Sequence, residues 1–169
     1  MEQDEASSAS TQWLDDDERA AWLASAALIV RLPAALDAQL QRDAGLSFFE
    51  YMVLAALSEQ PDRTMRMSQV AEFSSASLSR LSHTAKRLEA AGYLTRRQLP
   101  GGGRKTDATL TEAGAAKVAE AAPGHVSAVR RYLVDTVSKA QLATLRAVGQ
   151  SVCEAIDGAG TTSPRVSDD

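Results

Sequence analysis

Between positions 75 and 87 the chain carries Ser75, Ser77, Ser79, Arg80, His83 and Arg87, a run of hydroxyls, one imidazole and two guanidiniums. Arg104 and Lys105 follow directly on Pro100-Gly101-Gly102-Gly103. These residue types suit a polyanion. Lys and Arg displace the counterions condensed on duplex DNA, and polar side chains on a helix that enters the major groove hydrogen-bond to base edges. On helical spacing Ala76, Ser79/Arg80, His83 and Arg87 fall opposite Leu78, Leu81 and Leu88, so one face is polar and the other apolar. Arg80 and His83 are the expected base readers, with Ser75, Ser77, Ser79 and Arg87 nearer phosphates. A cation at a glycine-rich tip, as at Arg104 and Lys105, reaches a neighbouring minor groove, whose negative potential deepens as it narrows.

Charge is distributed to match. The net charge of −4 hides a division: residues 1–60 hold 3 basic and 11 acidic residues, residues 61–105 hold 9 basic and 3 acidic, and residues 106–169 hold 6 basic and 8 acidic. A basic middle lies between acidic flanks, the footprint of a polyanion partner.

Other chemistries fit poorly. Gly101 to Thr106 is similar to a phosphate-binding loop, but Arg104 stands where a glycine must precede the lysine, and no long apolar strand leads into it. No nucleophile, base and orienting group fall at motif spacing, so no enzyme is expected. One cysteine, Cys153, with His83 and His125 cannot close a tetrahedral zinc site within one chain, and neither metal nor cofactor is expected. Cys153 lies among Val148, Val152 and Ile156, where a small buried hydrophobe is the expected role. Met1 to Ser10 is acidic and small, and no run reaches about 18 unbroken apolar residues, so the expected setting is cytoplasmic with no membrane partner.

The elements that must position the polar face are mostly helical. Aromatics make up 5% of the chain, and Ala and Leu outnumber the β-branched residues, which favours helices over a sandwich or barrel. Residues 1–12 and 158–169 read as disordered tails. Trp22, Leu28/Ile29, Leu32, Leu36 and Leu40 predict a long amphipathic helix over about Asp15 to Asp43, with Pro33 as a possible kink and Gly45 as a stop. Ser47 and Glu50 have capping-box spacing ahead of Tyr51, Leu54 and Leu57, which predicts a helix from Phe48 to about Gln60. Pro61-Asp62-Arg63 breaks the pattern; Met67, Val70, Ala71 and Phe73 then mark a short helix. A serine-bearing turn leads to the helix of the polar face, which ends at Gly92. Tyr93 to Gln98 and Lys105 to Leu110 read as the two strands of a β-hairpin. From Thr111 a helix passes Pro123 and continues through Val126, Val129, Tyr132, Leu133 and Val137; Ser138 and Gln141 then have capping-box spacing ahead of Leu142, Leu145, Val148, Val152 and Ile156. The fold class is mostly α with a small β-hairpin: a winged helix-turn-helix over about 47–111 with N- and C-terminal helices at about 13–44 and 112–157.

Several segments resemble the MarR (multiple antibiotic resistance regulator) family of bacterial transcription factors. Gly45-Leu46-Ser47 before Tyr51-x-x-Leu54-x-x-Leu57 looks like the family's second helix, and Met67-x-x-Val70-Ala71 followed by Ser77-x-Ser79-Arg80-Leu81 looks like its helix-turn-helix. Arg87-Leu88-Glu89-x-x-Gly92-Tyr93-Leu94-x-Arg96 and Leu110-Thr111-x-x-Gly114 resemble the segments that flank its wing. The likeness runs from Trp13 to Ile156. One departure concerns the wing tip, which in the family usually reads Asp-x-Arg: with Arg104 aligned to that arginine, Gly102 takes the aspartate position, and the carboxylate that orients the arginine is missing.

The first helix and the last two carry more apolar positions than a domain centred on Leu54 to Leu110 can cover, so a homodimer is expected. Two-fold symmetry then predicts a pseudo-palindromic site with half-sites about 10 bp apart. The resemblance implies a ligand-responsive regulator, more often a repressor, that releases DNA when a small phenolic or anionic effector binds between the dimer helices and the reading domain. Trp22, Phe49, Tyr51 and His125 are the candidate lining residues. The alternative is a winged-helix protein-interaction module without specific DNA binding.

Overall fold

The computed structural model describes residues 11–73, 77–99 and 105–160. Both expected tails fall largely outside them. The chain forms α1 (Asp16–Ala44), α2 (Phe48–Ser58), β1 (Thr64–Arg66), α3 (Met67–Phe73), α4 (Leu78–Ala90), β2 (Leu94–Gln98), β3 (Thr106–Leu110), α5 (Glu112–Tyr132), a 3-10 turn (Val134–Thr136) and α6 (Lys139–Gly160). Contacts group it into two compact units, Met1–Ala35 and Leu36–Asp169.

Local chemistry sets most boundaries. Asp15 and Glu18 cap each other reciprocally at the start of α1, the Asp15 N–H donating to Glu18 at 2.9 Å and the Glu18 N–H to Asp15 at 2.8 Å. Ser47 and Glu50 form the capping box that opens α2, and Ser138 and Gln141 exchange the same pair of bonds ahead of α6. Helix α4 closes through Gly92, whose φ of +77° belongs to the left-handed region that a Cβ disfavours. Its N–H and that of Tyr93 then reach back to the carbonyls of Glu89 and Leu88 at 2.9 Å. Thr111 caps α5 by accepting from the Gly114 N–H, while its hydroxyl donates to the Gly92 carbonyl at 2.7 Å. A Cβ on Gly114 would stand 2.0 Å from the Tyr93 carbonyl oxygen, so only glycine lets α5 lie this close to the end of α4.

The hairpin belongs to a three-stranded antiparallel sheet ordered β1-β3-β2, with Thr64 opposite Thr109 and Leu94 opposite Leu110. Sequence patterning misses β1 because three residues cannot show alternation; pairing with β3 makes the strand. It follows Arg63, a non-glycine residue at φ +53°, whose carbonyl accepts from the Leu110 N–H at 2.9 Å. The core of the second unit gathers Leu40, Leu54, Leu57, Val70, Leu81, Leu88 and Leu94, all buried, beneath this sheet and the short helices.

Three further expectations are corrected. Helix α5 stops at Tyr132 rather than running through Val137, because Leu133 leaves helical geometry (φ −130°, ψ −65°) and the 3-10 turn follows, with Arg130 bonded to Asp135 at 2.5 Å. Helix α6 extends through Gly160, past the boundary expected at residue 158. Cys153 is exposed rather than buried, because Val148, Val152 and Ile156 beside it on α6 are themselves uncovered. Pro33 and Pro123 both sit inside helices assigned without a break. By length and composition α1 is also apolar enough to cross a membrane, with an 18-residue mean hydropathy of 1.4; a search for unbroken apolar runs overlooks such a window.

Candidate nucleic-acid interface

Helix α4 presents the face that the helical spacing assigns to it. Leu81, Ala85 and Leu88 are buried in the core, whereas Ser79, Arg80, His83, Lys86 and Arg87 are exposed. Ser77 is the N-cap: its hydroxyl oxygen accepts from the Arg80 N–H at 3.2 Å, so its first role is to start the helix. Ser75 and Arg104 lie outside the described residues. Lys105 is exposed immediately before β3, and its carbonyl accepts from the Leu99 N–H at 2.9 Å.

The cations of the basic middle divide into two groups. Three arginines are tied to carboxylates. Arg63 bonds Glu112 at 2.6 Å, Arg96 bonds Glu89 at 2.6 Å, and Arg87 pairs with Glu50 through Nε at 3.1 Å and through Nη2. Arg66, Arg80, Lys86, Arg97 and Lys105 have no ion pair among the described residues. The second group is the one whose charge is available to a polyanion; the pairs offset part of the regional excess counted from sequence.

Glu50 is the residue that sequence reasoning valued only as a cap. It is buried, and it accepts from the Ser47 N–H at 2.8 Å, the Ser47 hydroxyl at 2.9 Å and Arg87. Burial pushes its carboxyl up, but the Arg87 and Ser47 hydrogen bonds and the Arg87 charge together outweigh that and hold it below the ordinary value. The hydrogen bond from Arg96 likewise holds Glu89 low. Arg87, expected near phosphate, thus has an intramolecular partner 37 positions away, and neither its type nor its spacing announces that.

Arg80 also has a partner, of a different kind. Its guanidinium carbon lies 4.7 Å from the centroid of the Phe49 ring. Phe49, expected beside an effector, lies against Arg80 of α4. Of the other candidates, Tyr51 and His125 do come together, with ring centroids 4.5 Å apart and Phe48 5.9 Å from His125. Trp22 belongs to the first unit, where it is exposed. Burial lowers the His125 pKa and favours the neutral ring, and burial also raises that of Tyr51, as does the Glu59 charge.

A cleft of about 320 Å³ opens between the end of α1 and α5, lined by Gln39, Arg42, Asp43, Gly124, Ser127, Ala128, Arg131 and Tyr132. None of the four expected lining residues is among these, although Gly124 adjoins His125. Gln39 Oε1 and His125 Nδ1 are buried without a hydrogen-bond partner among the described residues.

The family model described as MarR family matches residues 44–105, the span from the end of α1 to the start of β3. AbsC, a MarR family transcriptional regulator from Streptomyces coelicolor, shares 34% identity over 88% of this chain and 99% of its own, with a TM-score of 0.81. The chain belongs to the MarR family of transcriptional regulators. A second MarR family regulator from S. coelicolor, Sco3205, whose structure was solved in complex with DNA, is 36% identical over 86% of this chain and 91% of its own, again with a TM-score of 0.81. CouR from Rhodococcus jostii RHA1, solved with p-coumaroyl-CoA, shares the MarR fold at 23% identity, covering 84% and 95% of the two chains with a TM-score of 0.66. Comparison with curated proteins gives no match.

Proposed function

We propose that this MarR family chain is a DNA-binding repressor that works as a homodimer on a pseudo-palindromic operator, reading bases with α4 and clamping the flanks with its wing. One observation carries the reading: α4 is fixed to the core by Leu81, Ala85 and Leu88 and turns Ser79, Arg80, His83 and Lys86 outward, with no carboxylate engaging Arg80 or Lys86 among the described residues. The relationship to Sco3205, a DNA-bound relative, supports it. Arg80 and His83 read base edges; Ser75, Ser77 and Ser79 lie towards phosphates, and Arg104 and Lys105 reach the adjoining minor groove. The exposed apolar side chains of α1 and α6, among them Trp22, Ile29, Val152 and Ile156, are the surface a second copy covers. A small phenolic or anionic effector occupies the cleft between α1 and α5, where Arg131 supplies positive charge and Gln39 an unpartnered amide oxygen, Arg42 being paired with Asp43.

The test is binding to oligonucleotides selected from genomic DNA. Affinity is expected to fall by roughly 10³–10⁵ between about 50 and 200 mM salt, and Arg80→Ala to cost about 1–3 kcal/mol while relaxing the preference at one base pair. A protein that selects no sequence even at low salt would overturn the reading.

A further inference from the structure

The two arginines of α4 that lie seven residues apart, and hence on one face, are both met by the first turn of α2. They are met by neighbouring residues and by opposite means. Glu50 takes Arg87 edge-on, accepting from its Nε and Nη2, and so occupies one of its two-donor edges and offsets its charge. Phe49 takes Arg80 from above, with the guanidinium carbon 4.7 Å from the ring centroid. A phenyl ring has no lone pair to accept from an N–H, so, unlike a carboxylate, it leaves the guanidinium donors available. Phe49 is half-buried against the core and cannot wander with the side chain it supports.

We propose that Phe49 is a positioning residue for base recognition: its ring holds the Arg80 guanidinium in a set orientation with its donors available, and so shapes operator preference without touching DNA. The inference rests on the assignment of Arg80 as a base reader. Flexible arginines lose rotamer freedom when they clamp a guanine, and a supporting ring removes part of that freedom beforehand. The difference between a ring beside Arg80 and a carboxylate beside Arg87 separates the two arginines for reading, although both project from one face of the same helix.

The experiment measures base-pair preferences of the full chain on an oligonucleotide library, for the wild type, Phe49→Leu, Phe49→Tyr and Arg80→Ala, and for Phe49→Leu combined with Arg80→Ala. Phe49→Leu is expected to weaken binding to the preferred site about two- to fivefold, the size of an exposed cation–π contact, and to flatten the same base pair that Arg80→Ala flattens. Phe49→Tyr should retain the wild-type preference, and Phe49→Leu should add nothing once Arg80 is gone. Phe49→Met, which keeps volume without a ring, replaces Phe49→Leu if the latter does not fold. If Arg80→Ala alters that base pair and Phe49→Leu does not, or if Phe49→Leu weakens binding equally in the Arg80→Ala background, the role of Phe49 is overturned while Arg80 still reads. If Arg80→Ala leaves every preference intact, the base-reading assignment falls, and the role of Phe49 with it.

Discussion

Two regions of the chain carry the same kind of apolar periodicity and meet opposite fates. In the reading region, Leu54, Leu57, Leu81 and Leu88 recur at helical spacing and are 0–2% exposed. On the outer helices, Trp22, Ile29, Val148, Val152 and Ile156 recur at similar spacing and are 52–66% exposed. Periodicity therefore reports that a helix has an apolar side, and says nothing of what covers it. In the reading region the covering partners come from the same chain, brought by short turns and the three-stranded sheet. On α1 and α6 these side chains stay exposed within the single chain, and in the proposed homodimer a second copy covers them.

That contrast can be broken by substitution. The largest effect is expected from Leu54→Ala, which empties part of a fully buried site: about 2–5 kcal/mol lost from the unfolding free energy in a denaturant titration. Next comes Val152→Asp on α6. Dimer formation measured by sedimentation should weaken by about 1.5–3 kcal/mol per copy, the burial value of a valine side chain, while the denaturation of the reading region stays near that of the wild type. A protomer destabilised as much by Val152→Asp as by Leu54→Ala would erase the distinction between the regions.

Smaller changes sharpen it at the junction of α2 and α4. Ser47→Ala removes a cap from a helix already held by core packing and should cost about 1 kcal/mol in the same titration. At neutral pH Glu50→Gln should alter stability least, and its signature is the pH dependence. The folded carboxyl titrates below its ordinary value of 4.5, so its contribution is fully present above that value and is lost as pH falls below it towards the folded pKa. Acid titration of stability should accordingly show a shallower decline below about pH 4.5 in Glu50→Gln than in the wild type; parallel curves would mean that the Arg87 pair does not bear on folding.

Much of the architecture was legible because its signals are local. The Ser47–Glu50 and Ser138–Gln141 caps and the stop at Gly92 each depend on residues a few positions apart, and local hydrogen bonding resolves them without reference to the rest of the molecule. Strand β1 was not legible, since Thr64–Arg66 becomes a strand only through its pairing with Thr109, Ala108 and Asp107. The exposure of Cys153 is hidden from sequence for a related reason: an apolar neighbourhood along the chain need not be a buried one in space. In the candidate interface, the polar face of α4 could be read from spacing, whereas the partners of its arginines could not.

The amino-acid order alone determined which side of α4 is polar, where α2 and α6 start and where α4 stops, and that cations concentrate between residues 61 and 105. Which of those cations remain available was decided only by the tertiary structure. Glu50 and Phe49 are 37 and 31 positions from the arginines they meet. The distinction between a neutralised guanidinium and a supported one depends on whether a carboxylate or a ring arrives beside it, and that is a property of how α2 packs against α4.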